Sequence, residues 1–159
     1  KLPRMDWLKL MWCECSMKTD VPYIVIDTNV LISAGLIPNS KIAQVVALAV
    51  SQFIVAQNKD TWSELATRIA RKKFDRYFWV MGRQRHLVEL AKYIEDIPQI
   101  ANVEVSRDSD DDKFVSLAID AGAAIIISGD SDLKDIKKHE GIEILSPAQF
   151  FERYSDSSI

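Results

Sequence analysis

Tyr23-Ile-Val-Ile-Asp27 sets an aromatic and three aliphatic residues in a row and closes them with an acid. A continuous apolar run of this length, rather than an alternating one, reads as a strand covered on both faces, as in a parallel sheet. Phe53-Ile-Val-Ala56 and Ala124-Ile-Ile-Ile127 repeat the pattern, Val103-Glu-Val105 is a shorter strand candidate, and Ile142-Glu-Ile144 reads as an edge strand. Apolar residues fall at helical spacing between them. Ile42 to Val50 follows a Pro38-Asn39-Ser40 turn, and Trp62, Leu65, Ala66, Ile69 and Ala70 follow a Thr61-x-x-Glu64 capping-box match. A basic helical segment then runs to about Ile97 and stops at Pro98. Phe114, Leu117, Ala118 and Ala121 form a helix that Gly122 ends, a short helix follows Leu133, and a last one has Pro147 at its first position. Strands alternating with helices predict an α/β domain with a mostly parallel central sheet and helices on both faces.

The length of 159 residues suits a single domain that needs no metal or disulfide staple to fold. Residues 1–16 contain no signal-peptide core, and Met17 directly precedes the first strand pattern. They are read as an extension or vector-derived segment ahead of a domain over residues 17–159. No apolar run reaches the roughly 20 residues that cross a bilayer, so no membrane association is expected. Cys13 and Cys15, one residue apart, make a poor disulfide framework, and a reducing cytoplasm is the expected compartment. The 20 Lys and Arg against 23 Asp and Glu give a net charge of −3, which excludes a generally cationic coat. The charge is nevertheless uneven. Residues 59–92 carry nine basic and four acidic side chains, and local potential steers a ligand more than the total does.

The acids fall where strands end. Asp27 closes the first strand, Glu64 lies in the first turn of the helix after the second, and Asp108, Asp110, Asp111 and Asp112 open another helix. Asp130 and Asp132 follow the third apolar strand. Ligands of open α/β sheets bind at the carboxyl ends of the strands, so these groups converge on one edge. Gathered carboxylates repel one another unless cations compensate, and hard oxygen donors suit Mg²⁺ or Mn²⁺. Each acid also has a local reading: Asp108 and Asp110 as helix caps, Glu64 as half of a capping box, Asp130-Ser-Asp132 as a turn. Asp27, closing a buried strand, resists such a local reading best.

Other chemistries find no support. Asp108-x-Asp110-x-Asp112 begins like a calcium loop, but the sixth position is Lys113 and the twelfth Ile119, not Gly and Glu. No Gly-rich phosphate loop occurs, which also weighs against a small-molecule phosphatase. An aspartate-nucleophile phosphatase wants a second Asp at position 29, which is Asn29. Two histidines, His86 and His139, spell out neither a zinc site nor a nucleophilic triad.

The motifs together resemble the PIN-domain family, most closely its toxin branch in bacterial and archaeal toxin–antitoxin systems. Val25-Ile-Asp27-Thr-Asn29-Val-Leu is similar to the opening motif, and Glu64 stands where the family has its helix-borne acid. Arg107-Asp-Ser-Asp-Asp-Asp-Lys-Phe114 with Leu117-Ala118 resembles the third motif, and Ile127-Ser-Gly-Asp-Ser-Asp-Leu133 the fourth, with Ser128 in place of the more usual Thr. The likeness covers about residues 21 to 154.

The resemblance implies a Mg²⁺- or Mn²⁺-dependent endoribonuclease. It assigns Asp27, Glu64, Asp111 and Asp130 to the catalytic metal site, with Asn29, Ser128, Asp132 and Asp110 in support. Among Asp110, Asp111 and Asp112 any could be the ligand, and Asp111 is chosen because Phe114 and Ala118 follow it on the inward face. Such a site activates a water for attack on a phosphodiester. Arg68, Arg71, Lys72, Lys73 and Arg76, with Arg83 and Arg85, would bind RNA phosphates, or else form a solvated face. Tyr77, Phe78 and Trp79 would stack bases or simply pack. The implied partners are RNA, a cognate antitoxin and a second copy in a homodimer, to which Val45, Val46, Leu48 and Val50 could contribute if they are not core. The competing class is a non-catalytic PIN-like module that binds RNA or protein; retention of all four motif acids favours the enzyme.

Overall fold

The computed structural model describes residues 21–78, 81–104, 110–136 and 138–156. The proposed extension with Cys13 and Cys15, and the residues Trp79, Val105, Arg107 and Asp108, lie outside the described residues. The strands are β1 (Tyr23–Ile26), β2 (Ile54–Gln57), β3 (Ile94–Asp96), β4 (Ile125–Ile127), β5 (Lys138–His139) and β6 (Ile142–Leu145). The helices are α1 (Thr28–Leu36), α2 (Lys41–Gln52), α3 (Lys59–Ile69), α4 (Gly82–Ala91), α5 (Asp112–Ala121), α6 (Ser131–Ile136) and α7 (Pro147–Ser155), with a 3₁₀ turn at Lys72–Phe74. Among the described residues no single helix is long and apolar enough to cross a membrane.

The sheet has the order β3-β2-β1-β4-β6-β5 and is parallel except for β5 against β6. Alternate side chains of the same strands feed two cores. Ile24, Ile26, Val55 and Ile127 pack with Leu31, Val45, Leu65 and Phe150 from α1, α2, α3 and α7. Val25, Ala56, Ile126 and Ile144 pack with Phe114, Leu117 and Ala118 of α5 and with Leu133. This is the predicted α/β architecture with helices on both faces. From β1 the chain builds outward through β2 to β3, then returns to place β4 on the other side of β1. The strand order therefore reverses between β1 and β4, and the crevice outside their carboxyl ends is the binding position of such sheets.

Several expectations are corrected. Helix α1, directly after Asp27, was not read from the sequence. The start of α3 is capped by Asn58, with Thr61 as the third helical residue of the box, so Glu64 lies in the second turn rather than the first. The basic stretch is not one helix. It breaks at Arg71, whose backbone is extended, and ends in β3, because Val55 N–H and Ile97 N–H pair with Tyr93 and Gln57 carbonyls along the edge of β2. The strand expected at Val103-Glu-Val105 does not form over the described Val103 and Glu104. Backbone donors there are taken by side chains of α5: Asp120 accepts from Ile100 and Ala101, and Ser116 Oγ from Val103. Strand β6 is not an edge, since β5 covers it. Val45 and Val46 are buried in the core, and Leu48 and Val50 are partly buried against it. Ser40 and Ser146 cap α2 and α7, and Pro147 at the start of α7 and the left-handed Gly122 at the end of α5 behave as read.

Helix α4 approaches α1 closely at Gly35. A Cβ there would lie 2.6–2.7 Å from the His86 ring, whose Nε2 is hydrogen-bonded to the Leu31 carbonyl at 3.0 Å. Gly35→Ala is expected to destabilise by about 1–3 kcal/mol through overpacking, although alanine is the better helix former by about 1 kcal/mol. In a His86→Ala background the same change should become stabilising. Urea melts of the four proteins test this, and an unchanged Gly35→Ala effect in both backgrounds refutes the contact.

Candidate functional site

The carboxyl ends of β1 and β4 bring Asp27 and Ser128 together. Asp27 is 4% exposed and caps α1, its Oδ1 accepting from Asn29 N–H at 3.1 Å. Its Oδ2 accepts from the hydroxyl of the fully buried Ser128 at 2.9 Å. Ser128 Oγ in turn accepts from Asp130 N–H at 3.0 Å, and Asp130 Oδ1 accepts from Asp132 N–H at 2.8 Å. A short chain of hydrogen bonds thus runs from the end of β1 across β4 into the start of α6.

Beside this chain, one carboxylate oxygen each of Asp111, Asp130 and Asp132 lies within 4.8 Å of the others. Asp111 arrives just before α5, whose Phe114 and Ala118 face inward and so set its angle. All three are half-buried, and an all-oxygen donor set at this spacing fits a hard divalent cation. Two of them were read as metal ligands, whereas Asp132 was read as support. Its membership follows from the turn of chain that Asp130 imposes, which spacing alone does not reveal.

Asp27 and Glu64 do not belong to that set of oxygens. Glu64 is paired with Arg68 at 2.9 Å and with Lys113. Burial raises the pKa of Asp27, and the negative charges of Glu64 and Asp130 push it the same way; the Asn29 and Ser128 hydrogen bonds oppose the shift. Asp27 is therefore near enough to feel both. Asn29 supports Asp27 through its backbone, its side chain being exposed, and Asp110 is exposed as well. A depression of about 330 Å³ opens beside Asp27 and Asp130, walled by Asn29, Val30, Ser33, Ile42 and Pro147.

The basic segment divides into structural and free cations. Arg83 is tied to Asp75 and to the Arg71 carbonyl at 3.3 Å, bracing the 3₁₀ turn. Arg68 is held by Glu64. Arg71, Lys72, Lys73 and Arg76 are exposed, with Lys73 4.9 Å from the Phe74 ring and Arg76 4.8 Å from that of Tyr77. Phe78 is core, while Tyr77 is exposed.

The PIN domain profile matches residues 23–132, from the first strand through the last acid of the trio. The chain belongs to the PIN domain family. Members of this family are generally nucleases that use divalent metals, and the acids of this PIN domain are compatible with that chemistry. It is 29% identical over 144 residues to the uncharacterized protein MJ1680 of Methanocaldococcus jannaschii, covering 82% of this chain and 90% of that one. Its fold is similar to a chain in the crystal structure of VapBC2 from Rickettsia felis bound to a DNA fragment from their promoter. There the TM-score is 0.55 at 15% identity, over 78% of this chain and 98% of that one.

The raised pKa of Asp27 has a consequence for stability. A carboxyl whose folded pKa exceeds its unfolded value of about 3.9 favours the fold while protonated, and loses that contribution as pH rises through the folded pKa. At pH 7 without divalent ions the ionised Asp27 is thus a liability. Asp27→Asn keeps the cap through Oδ1 and reverses the Ser128 contact, its Nδ2–H donating to Oγ, and is expected to melt higher than the wild type in EDTA at pH 7. The gap should close as pH falls to about 4. Thermal melts across pH check this; a lower melting temperature for the variant at pH 7 refutes it.

Proposed function

We propose that this PIN domain is a divalent-metal-dependent endoribonuclease and the toxin of a toxin–antitoxin pair acting in the cytoplasm. The observation that carries the reading is the convergence of Asp111, Asp130 and Asp132 next to the buried Asp27, at the crevice where the strand order reverses. In the mechanism, Asp111, Asp130 and Asp132 hold Mg²⁺ or Mn²⁺. A bound ion supplies charge neutralisation at the phosphodiester and a more acidic water. Asp27 anchors the arrangement, because its hydrogen bond to Ser128 sets where Asp130 N–H, and hence the Asp130 carboxylate, stands. The exposed Arg71, Lys72, Lys73 and Arg76 bind backbone phosphates, giving affinity without base readout. The antitoxin and a homodimer are proposed as partners on the strength of the family's toxin branch. The domain is proposed to begin near residue 17.

Mn²⁺ should raise the melting temperature by mass action, since only the folded chain gathers the trio. Asp130→Asn should abolish that rise and cut RNA cleavage by at least about a hundredfold, while melting cooperatively in EDTA. A variant that cleaves RNA at the wild-type rate overturns the site. A wild type that binds RNA but cleaves none with any divalent ion supports the non-catalytic module instead.

Replacing Arg71, Lys72 and Lys73 by Glu should weaken binding of single-stranded RNA and lower the slope of log affinity against log salt by roughly 2, at about 0.7 per lost phosphate contact. Cleavage at saturating RNA should change far less. An unchanged slope in fluorescence anisotropy would mean that these side chains are merely a solvated face.

A further inference from the structure

The depression beside Asp27 and Asp130 is walled by separate parts of the chain. Helix α1 supplies Asn29, Val30 and Ser33, the first turn of α2 supplies Ile42, and the start of α7 supplies Pro147. Gly129, in the loop after β4, completes the wall. Val30 and Ile42 belong to the core packed on the sheet, so the apolar side of the depression is set by the fold rather than by a loop. Its volume of about 330 Å³ lies at the lower end of the roughly 300–1,000 Å³ that ligand pockets span. That is room for one flat ring system and not for a length of chain.

Two observations define what the depression accepts. The first is its polarity. The ionisable groups on its wall are both acids, so an anion is repelled. Both oxygens of Asp27 already accept, from Asn29 N–H and the Ser128 hydroxyl, and Asp130 Oδ1 accepts from Asp132 N–H. What remains to meet a ligand is neutral: the Asn29 amide and the Ser33 hydroxyl, one turn apart on α1, make no side-chain hydrogen bond among the described residues. Between them they offer donors and acceptors at one side of an apolar wall. The second observation is Gly129. A Cβ there would meet no atom within 4 Å beyond its chain neighbours, and its backbone is not left-handed. Neither packing nor φ calls for glycine at this point of the wall, whereas an open depression does.

We propose that this depression is a base subsite, which takes one unpaired nucleobase of the RNA with its ring against Ile42 and Pro147 and its edge toward Asn29 and Ser33. A base inside a duplex cannot turn into such a recess, so the nucleotide beside the cut must be single-stranded. The exposed cations of the basic turn hold phosphates without regard to sequence; the depression adds the contact that places one nucleotide, and hence the neighbouring phosphodiester, against the acids. The inference rests on the endoribonuclease reading above and gives it a substrate requirement.

Single-stranded RNA carrying one abasic nucleotide, moved stepwise along the strand, tests this on the full chain with Mn²⁺. The wild type should lose cleavage at one fixed offset from the abasic position, by about tenfold, the loss of one base contact. Gly129→Leu fills the depression from its open wall. It should cut intact RNA about tenfold less well, show no abasic offset, and keep the rise in melting temperature with Mn²⁺. If that rise is lost, the Asp130 loop has moved, and Ser33→Leu in α1 takes its place with the same expectation. Uniform cleavage of the abasic series by the wild type, or an offset that survives in the variant, overturns the subsite and leaves the nuclease reading standing. A wild type that cleaves no RNA overturns the nuclease reading, and anisotropy in EDTA then decides the subsite: weaker binding of abasic RNA by the wild type alone supports it, and equal binding overturns it. A Gly129→Leu protein that treats RNA as the wild type does, but no longer copurifies with a co-expressed antitoxin, shows a protein segment in the depression and overturns the base subsite.

Discussion

The carboxylate of Asp27 lies at the centre of the sheet, where taking a negative charge out of water is costly unless hydrogen bonds replace the water. Asn29 N–H and the Ser128 hydroxyl make that replacement, and each belongs to a different part of the fold. The first starts α1; the second fastens the end of β1 to the end of β4. Because Ser128 Oγ also accepts from Asp130 N–H, the same hydroxyl that stabilises Asp27 aims the loop that carries Asp130 and Asp132. Replacing Ser128 by the more usual Thr of the family keeps that hydroxyl.

The acids of the crevice differ in their surroundings. Glu64 is answered by the chain's own cations, Arg68 and Lys113. Asp111, Asp130 and Asp132 stand close together, with oxygens at a spacing that a divalent ion can bridge. Burial raises the pKa of Asp27 most, and the charges of Glu64 and Asp130 add to the rise against two hydrogen bonds. Repulsion of this sort is what a metal-binding crevice stores: the folded chain holds the donors in place, and the gain on binding a cation follows from the relief.

The cationic side of the molecule depends on ordinary packing. His86 reaches across to Gly35 and the Leu31 carbonyl, fixing α4 on α1, and Arg83 then braces the turn that carries Arg71, Lys72 and Lys73. Three exposed cations on a braced turn follow one another without the spacing of a continuous helix, which would spread them around its circumference.

Much of this was legible in the residues themselves. The apolar runs at β1, β2 and β4 are long enough and continuous enough to demand cover on both faces, and the Ser and Gly punctuation of α2, α5 and α7 states local backbone requirements that no distant contact has to supply. Asp27, Asp111 and Asp130 stood out in the sequence because each lies at the end of an apolar strand or at the mouth of a helix. Local pattern failed where a distant partner decided the outcome. Ile94 to Asp96 became a strand because β2 offered an open edge, and Val103 did not because Ser116 and Asp120 had already taken the backbone donors of its segment. Asp132 joined the acid trio, and Glu64 was drawn to Lys113, across 49 positions of chain. A sequence states which side chains carry charge and which must be buried; which charge answers which is decided by distance, and distance exists only once the chain has folded.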